Sequence, residues 1–439
     1  MNQPRAPLLV LILSACVSTA ASCTSTPETS GFGGEGSGLG GLGGAGPTTT
    51  QTTGAGGLEI DGGVGGNGSG GTPTTCTPGG PTDDVDKDGF TPDDGDCNDC
   101  DANVNPNAVE VPTPDGGDPF DEDCDGEIDE VDPPCDTGFD VADMDPLDAA
   151  RAVELCKMSA DPADWGVVSA SWVMADGSPP PMDPASLANF HLGHGLLSAF
   201  GANIDVRTGE RMLGLSSGTA RQPTDPGYQD VGGFSKGYTG SHPQGFPKES
   251  PACPGTVTGT PHDVAGIEIE IRVPSNAHGF SFDFDFFTYE WPGYVCSQYN
   301  DFFVALLDPI PQNQMDGNIV FDSQGNPVSV NNAFLEVCGC DGNPPGSCMA
   351  GGKTFTCALG DTDLIGTGFG FDTGTFGKQD HGSTSWLQTK APVDPGTEIT
   401  LRWAVYDSGD GVLDTTTLID DFKWIAEAGV KVGTDPIPK

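Results

Sequence analysis

The sequence is poor in positive charge, and this shortage argues against partners that are themselves negatively charged. Its 17 Lys and Arg residues stand against 64 Asp and Glu residues, which gives a formal net charge of −47. Phosphate backbones and anionic lipid surfaces repel such a chain, so nucleic acid is not an expected partner. Long hydrophobic runs are also missing after the N-terminus. Any membrane attachment is therefore expected to use a lipid rather than a spanning helix.

The N-terminus contains a short apolar run whose pattern predicts export. Arg5 precedes the apolar residues Leu8–Leu13, and this core is too short to span a bilayer. Small residues then precede Cys16 and Cys23, as they do in the lipobox of bacterial lipoproteins. A leucine three residues earlier favours lipidation of Cys16, whereas lipidation of Cys23 leaves an even number of cysteines downstream for disulfides. Ordinary cleavage of a signal peptide at residues 1–22 is the third alternative.

Glycine is abundant, and much of it lies in the low-complexity residues 23–81. This stretch lacks the apolar content that would offset the entropy of ordering, so it predicts a disordered linker. The 14 cysteines of an exported chain indicate structural disulfides. Disulfides are also favoured over zinc for Cys338, Cys340, Cys348 and Cys357, because their spacing matches no zinc pattern.

An Asp-rich segment at residues 82–134 contains the pattern D-x-D-x-D-G twice. Alternate carboxylates can converge on one cation, and the Gly permits a sharp turn, as in the first half of a calcium loop. Position 12 of the first loop is Gly95 rather than Glu, so a helix–loop–helix EF-hand is not expected. Oxygen ligands suit calcium better than copper or zinc. The candidate calcium ligands are Asp84, Asp86, Asp88, Asp96, Asp99, Asp121, Asp123, Asp125 and Asp129.

The same segment resembles the metal-binding repeat of MopE-type bacterial surface proteins. The resemblance rests on DVDKDGFTPDDGDCNDCDANVNPNAVEV and on DEDCDGEIDE. It implies that the aspartates bind cations at the surface of an exported protein. The chain departs from the family pattern at three positions: Asn98 replaces an Asp, Pro112 stands where a cysteine is common, and Cys100 is additional.

Residues 145–429 predict a mainly β fold, organised around the stretch Val264–Leu307. Apolar and polar residues alternate there in two successive segments, which is typical of half-buried strands. Asp145 and Asp183 each precede a proline and predict the start of a short helix, the first extending to Met158. Consecutive strands with few helices indicate a jelly-roll-like β-sandwich, followed by a tail at residues 430–439.

This β region resembles the choice-of-anchor L domain of exported bacterial proteins. The resemblance rests on FSFDFDFFTYEWPGYVCSQYNDFFVALL, NIVFDSQGNPVSVNN and LRWAVYDSGDGVLDTTTLIDDFKW. It implies a sandwich and display at the cell surface, but it implies no substrate.

Acidic and amide side chains gather at the predicted strand ends, and a second calcium site or a ligand site there is one hypothesis. The alternative is that these groups cap turns. The segment Gly214–Gly218 matches G-x-S-x-G, but a loop rather than a helix follows it, so a serine hydrolase is not expected. The strand-end residues are Glu290, Asn300, Asp301, Asp407, Asp410 and Asp414.

Together these patterns predict a non-enzymatic, exported bacterial protein with a calcium-binding module and an adhesive β-sandwich. It would be an outer-membrane or surface lipoprotein, or else secreted, and its partner would be an unidentified protein or polysaccharide. One alternative is a carbohydrate-active hydrolase that uses paired carboxylates such as Glu290 and Asp301. The other is a surface protein that scavenges metals.

Overall fold

The computed structural model describes residues 76–438, except 114–116, 118, 132, 333, 340–346, 351–352 and 371–380. The predicted signal peptide, Cys16, Cys23 and most of the predicted linker lie outside the described residues. Strands make up 29% of the structure and helices 7%, so the predicted mainly β fold is confirmed. None of the helices in the described part is long and apolar enough to cross a bilayer.

The described elements are mostly short. The helices are α1 (Pro146–Arg151) and α2 (Pro184–Phe190), and the strands are β1 (Gly166–Trp172), β2 (His194–Leu197), β3 (Ala199–Phe200), β4 (Ile204–Asp205), β5 (Met212–Ser216), β6 (Pro261–Arg272), β7 (Gly279–Thr288), β8 (Phe302–Asp308), β9 (Ser347–Ala350), β10 (Lys353–Thr356), β11 (Gly382–Ser383), β12 (Leu387–Pro392), β13 (Glu398–Ser408), β14 (Thr415–Ile425) and β15 (Gly433–Pro436). Four strands have ten residues or more: β6, β7, β13 and β14.

The strands form two main antiparallel sheets. One has the order β1-β6-β13-β8, and the other has the order β15-β12-β7-β14-β5-β2 with β11 beside β7. The long strands alternate between the sheets along the chain, since β6, β8 and β13 lie in the first and β7, β12 and β14 in the second. Such crossing between sheets is a feature of jelly-roll sandwiches. Two short hairpins, β3–β4 and β9–β10, lie outside these sheets.

The core lies between the sheets and is rich in aromatic rings. Phe282 of β7 meets Trp403 of β13 with ring centroids 5.3 Å apart, and Phe284 meets Phe303 of β8 at 5.0 Å. All four rings are fully buried. Burying one such side chain contributes about 1.5–3 kcal/mol. The Phe side chains on one face of β7 therefore pack against the other sheet and hold the two sheets together.

Strand β7 differs from the prediction because both of its faces are buried. Its alternation predicts a polar face toward solvent, yet Asp283 and Asp285 are both 0% exposed. Arg207 forms an ion pair with Asp283 at 3.0 Å, and the Ser383 hydroxyl donates to Asp285 at 2.5 Å. Arg207, which lies outside the two sheets, and Ser383 of β11 thus provide partners for the acidic groups of the central strand.

The helices follow their predicted caps, but α1 is shorter than expected. Asp183 accepts a hydrogen bond from the Ser186 backbone N–H, and α2 begins at Pro184, directly after this predicted cap. Asp145 caps α1 in the same way, but the helix ends at Arg151. Beyond it, Glu154 has a φ of 68° and the Ser159 N–H donates to Val167 of β1. The backbone at the end of the predicted helix therefore bonds to the edge strand β1 instead of continuing the helix.

Two boundaries differ from the predicted domain limits. Residues 433–436, predicted as part of a tail, form β15 at the edge of the larger sheet beside β12. Residues 76–81, predicted as linker, are joined to the Asp-rich segment, because Cys76 forms a disulfide with Cys100. In both cases pairing with a distant part of the chain, rather than local composition, decides the structure.

The Asp-rich segment is mostly irregular and rests against the turn between β6 and β7. Within it, only Pro92–Asp94 forms a 3₁₀ turn among the described residues. The Asn276 side chain accepts from the Val109 N–H at 2.9 Å and donates to the Val109 carbonyl at 2.8 Å. The Ser275 N–H also donates to the Asn107 carbonyl. The segment is thus attached to the sandwich by backbone hydrogen bonds.

Candidate cation-binding sites

The first Asp loop brings its predicted carboxylates together. Asp86, Asp88 and Asp96 each place a ligand atom within 4.8 Å of the other two, and Asp84, Asp86 and Asp99 do the same. Backbone N–H groups hold the turn, since those of Lys87 and Gly89 both donate to Asp84. Positive φ angles at these two residues, 72° and 100°, fold the chain back on itself.

Asp99 combines its place in this loop with a role in the backbone. One of its carboxylate oxygens accepts from the Gly79 N–H and the other from the Val85 N–H, each at 2.7 Å. The side chain is 3% exposed. It therefore anchors the start of the module to the loop, and this role accounts for its burial.

Electrostatics in the first loop favour a cation. Burial raises the pKa of Asp86, and the neighbouring carboxylates of Asp88, Asp96 and Asp84 raise it further. Burial also raises the pKa of Asp88. One oxygen each of Asp86, Asp88 and Asp96 is buried without a hydrogen-bond partner. Acceptors that face one another without a donor fit a cation between them.

The second loop gathers Asp121, Asp123 and Asp125 within the same 4.8 Å limit. A further group joins Asp123 to Glu110 and Glu130, two residues that the sequence analysis missed. Buried oxygens of Asp121 and Glu130 have no hydrogen-bond partner. The signal for Glu110 was its place in the AVEV stretch of the repeat, about ten residues before the loop it joins.

Asp129, a predicted ligand, is placed differently. Its carboxylate accepts from the Thr113 N–H at 2.8 Å, and its own N–H donates to Glu110 at 2.7 Å. It belongs to none of the convergent groups among the described residues. Its φ of 52° makes it a turn residue that positions Glu110, and the convergent carboxylate comes from Glu130 instead.

Disulfides account for the cysteines around these sites. The described bridges are Cys76–Cys100, Cys97–Cys124, Cys135–Cys156, Cys253–Cys296 and Cys338–Cys357. Cys348, whose sulfur lies 3.7 Å from that of Cys357, is also disulfide-bonded. The expectation of structural disulfides is confirmed, and oxidised sulfurs are not available as zinc thiolates.

The strand-end residues form a separate cluster inside the sandwich. Glu290, Asn300, Asp301, Asp407 and Asp414 are all between 0% and 3% exposed. The Thr415 hydroxyl donates to Asp301 at 2.5 Å, and the Asn300 N–H donates to the Ser408 carbonyl. Asp410, the sixth predicted member, is more exposed and lies at the rim. The structure therefore brings together five residues from four strand ends.

Burial and mutual repulsion raise the pKa values throughout this cluster. Burial raises the pKa of Asp301 to about 7. Burial, followed by the Asp301 charge, raises the pKa of both Glu290 and Asp407 well above its usual value. The pKa of Asp414 is also raised, chiefly by burial, although Lys236 opposes the shift. These shifts all favour the protonated carboxyl group over the carboxylate.

Comparisons with known proteins identify part of the sandwich. No curated protein and no solved structure gives a significant match. Residues 250–422, less than half of the chain, match the family model of the Choice-of-anchor L domain. Domains of this type are typically non-catalytic surface domains. The chain therefore contains a choice-of-anchor L domain at residues 250–422, which points to a non-enzymatic secreted or cell-surface bacterial protein.

Proposed function

We propose that this chain is a bacterial surface protein whose Asp-rich module folds around calcium and whose β-sandwich binds an external protein or polysaccharide. The convergence of Asp86, Asp88 and Asp96, with buried oxygens that lack donors, is the observation that supports calcium binding. Three carboxylates held within 4.8 Å repel one another unless a cation neutralises them. Calcium thereby favours the folded module over an extended acidic segment.

The choice of calcium follows from the ligand atoms. The convergent groups of both loops consist of Asp and Glu oxygens, while the nearby cysteines are oxidised to disulfides. Hard cations with six to eight oxygen ligands suit such sites, whereas copper and zinc prefer sulfur and nitrogen. The same reasoning does not support a metal-scavenging protein that selects transition metals.

The hydrolase alternative has no support from the geometry of its paired carboxylates. Glu290 and Asp301 are 3% and 1% exposed, so a polysaccharide cannot reach them. Glycosidases require two carboxyl groups that flank a bound sugar in an open cleft.

Calcium titration of the full chain, combined with limited proteolysis, tests the proposal. We expect calcium to bind saturably and to protect residues 82–134 from cleavage. Asp86→Asn should weaken binding to the first loop, and Asp394→Asn, which removes an exposed charge elsewhere, should leave it unchanged. Equal proteolysis with calcium and with a chelator would contradict the proposal.

The proposed attachment to the membrane is a lipid on Cys16 or Cys23. An acylated cysteine would attach the chain to the bilayer at the start of the Gly-rich residues 23–81. Metabolic labelling with palmitate should mark the wild-type chain and one of the variants Cys16→Ser and Cys23→Ser. Labelling of neither the wild type nor the variants would indicate a secreted protein instead.

A further inference from the structure

Acidic side chains from both sheets meet inside the sandwich at one end. Glu290 follows β7 and Asp414 precedes β14 in the larger sheet, while Asp301 precedes β8 and Asp407 lies near the end of β13 in the smaller one. All four are between 0% and 3% exposed. We call these four residues the strand-end cluster. It is built by the sandwich alone, and none of its members belongs to the Asp-rich module.

The strand-end cluster has many acceptors and few donors. Both carboxylate oxygens of Asp407 and both of Asp414 are buried without a hydrogen-bond partner. One oxygen each of Glu290 and Asp301 is in the same state, and so is the side-chain oxygen of Asn300. Buried polar atoms in proteins are almost always satisfied by a donor, a water or an ion. Asn300 is neutral, so the lack of hydrogen-bond donors affects an uncharged acceptor as well as the acidic groups.

The nearby lysine does not supply the missing donors. Lys236 is 1% exposed, and its Nζ donates to the backbone carbonyls of Ser216 at 2.8 Å and Val264 at 3.4 Å. Its charge lies close enough to lower the pKa of Asp414 in part, but the carboxylate oxygens still lack a direct partner. One positive charge also cannot balance four carboxylates if all of them are ionised.

One glycine leaves room for a carboxylate of the cluster. A Cβ on Gly218 would lie 1.9 Å from an Asp414 oxygen. Gly218 is the last residue of the G-x-S-x-G segment. The Ser216 and Ser217 hydroxyls of that segment donate to the Thr415 carbonyl. The segment therefore forms a wall beside the strand-end cluster, which accounts for its small residues.

We propose that the strand-end cluster is a second cation site, in which a calcium-class divalent ion links the two sheets. Asp301 and Asp407 are the central ligands, and the side-chain oxygen of Asn300 is a neutral one. A ligand set made only of oxygen suits a hard cation. Asp301 interacts with both Glu290 and Asp407, and Asp407 also interacts with Asp414. No three of the described carboxylates in this cluster meet the 4.8 Å limit of the loop sites. Binding is therefore expected to draw the strand ends together.

Counting ions on the full exported chain tests this proposal independently of the module. After dialysis against calcium, elemental analysis should find one calcium fewer per chain in Asp407→Asn than in the matched control Asp394→Asn. Calcium should also raise the melting temperature of Asp407→Asn less than that of the control. A double variant of the loops, Asp86→Asn with Asp123→Asn, should keep the ion that Asp407→Asn loses. If the loops do not bind calcium, the number of calcium ions per wild-type chain will be lower. The difference between Asp394→Asn and Asp407→Asn will stay the same.

Hydrogen exchange of the loop double variant, which keeps Asp407, covers the case in which Asp407→Asn does not fold. Calcium should slow exchange at residues 289–301 and 407–415 of this variant, because its module no longer responds to calcium. An unchanged ion count in Asp407→Asn, or exchange there that ignores calcium, would overturn the proposal. Either result would mean that protons satisfy the buried oxygens instead.

Discussion

At the scale of single residues, this protein buries several acidic side chains on its strands and at their ends. Asp283, Asp285, Asp407, Asp414 and Asp420 are all 0–2% exposed. A buried carboxylate is costly unless it is paired, hydrogen-bonded, protonated or bound to a cation. The residues next to each buried carboxylate must therefore leave it room or provide it with a partner. Substitutions at these positions should change the free energy of unfolding in a predictable direction.

Gly218→Ala tests the space around Asp414. The added methyl group would collide with the Asp414 carboxylate, which is itself fully buried and cannot swing into solvent. We expect a loss of about 1–3 kcal/mol in the free energy of unfolding, as for other overpacked sites. Urea denaturation measures it. Gly233→Ala is the control, since nothing lies within 4 Å of its Cβ position, and equal stability of the two variants would contradict the steric argument.

Glu154 should make stability depend on pH. Burial, followed by the charge of Asp420, raises the pKa of Glu154 from 4.5 to about 9. Because the folded state holds this proton and the unfolded state releases it, the contribution is full below pH 4.5 and is lost as pH rises toward about 9. Glu154→Gln keeps an oxygen for the Asp421 N–H but has no proton to lose.

The measurement is urea denaturation across this pH range at constant, saturating calcium. The wild-type chain should lose stability more steeply with rising pH than Glu154→Gln does. Lys423→Gln, which changes a largely exposed partner of Asp421, provides the comparison and should keep the wild-type slope. Identical slopes for Glu154→Gln and wild type would show that Glu154 is not protonated in the folded state.

At the scale of elements, alternation was enough to predict strands β6 and β7, whereas their pairing partners were not predictable. Every second residue of each alternating segment faces the core, as a period of two requires: Ile267, Ile269, Ile271, Val273, Phe280, Phe282, Phe284 and Phe286. The burial of the polar face of β7 and the pairing of β15 depend on segments far away in sequence. The same distinction holds at the sites, since the D-x-D-x-D-G spacing identified the Asp loops but not Glu110 or Glu130.

Asn276 is the element-scale contact between the module and the sandwich. Asn276→Ala removes two hydrogen bonds to Val109, each contributing about 0.5–1.5 kcal/mol. We expect faster proteolysis within residues 101–134 in saturating calcium, with calcium affinity unchanged. Asn103→Ala is the control, because that side chain bonds only to Asp101 among its described partners. Wild-type proteolysis of Asn276→Ala would mean that the remaining contacts, such as the bond from the Ser275 N–H to the Asn107 carbonyl, are enough to hold the module in place.

At the scale of the whole molecule, the excess of acidic residues links stability to ionic conditions. A formal net charge of −47 destabilises any compact state through self-repulsion, and salt and bound cations both reduce that repulsion. Salt screens exposed charges over the Debye length, whereas a bound ion neutralises the carboxylates that it contacts. Both reduce the same repulsion between acidic groups, so bound calcium should leave less repulsion for salt to screen.

This shared effect on repulsion predicts how the melting temperature responds to salt. In a chelator, raising sodium chloride from about 0.01 M to about 0.15 M shortens the Debye length from about 30 Å to about 8 Å and should raise the melting temperature. In saturating calcium the same change should raise it less, because the closest carboxylates are already neutralised. Tetramethylammonium chloride should act like sodium chloride, since screening does not depend on ion identity. A melting temperature that ignores salt in the chelator would show that the acidic groups lie too far apart, or hold too many protons, for repulsion to govern stability.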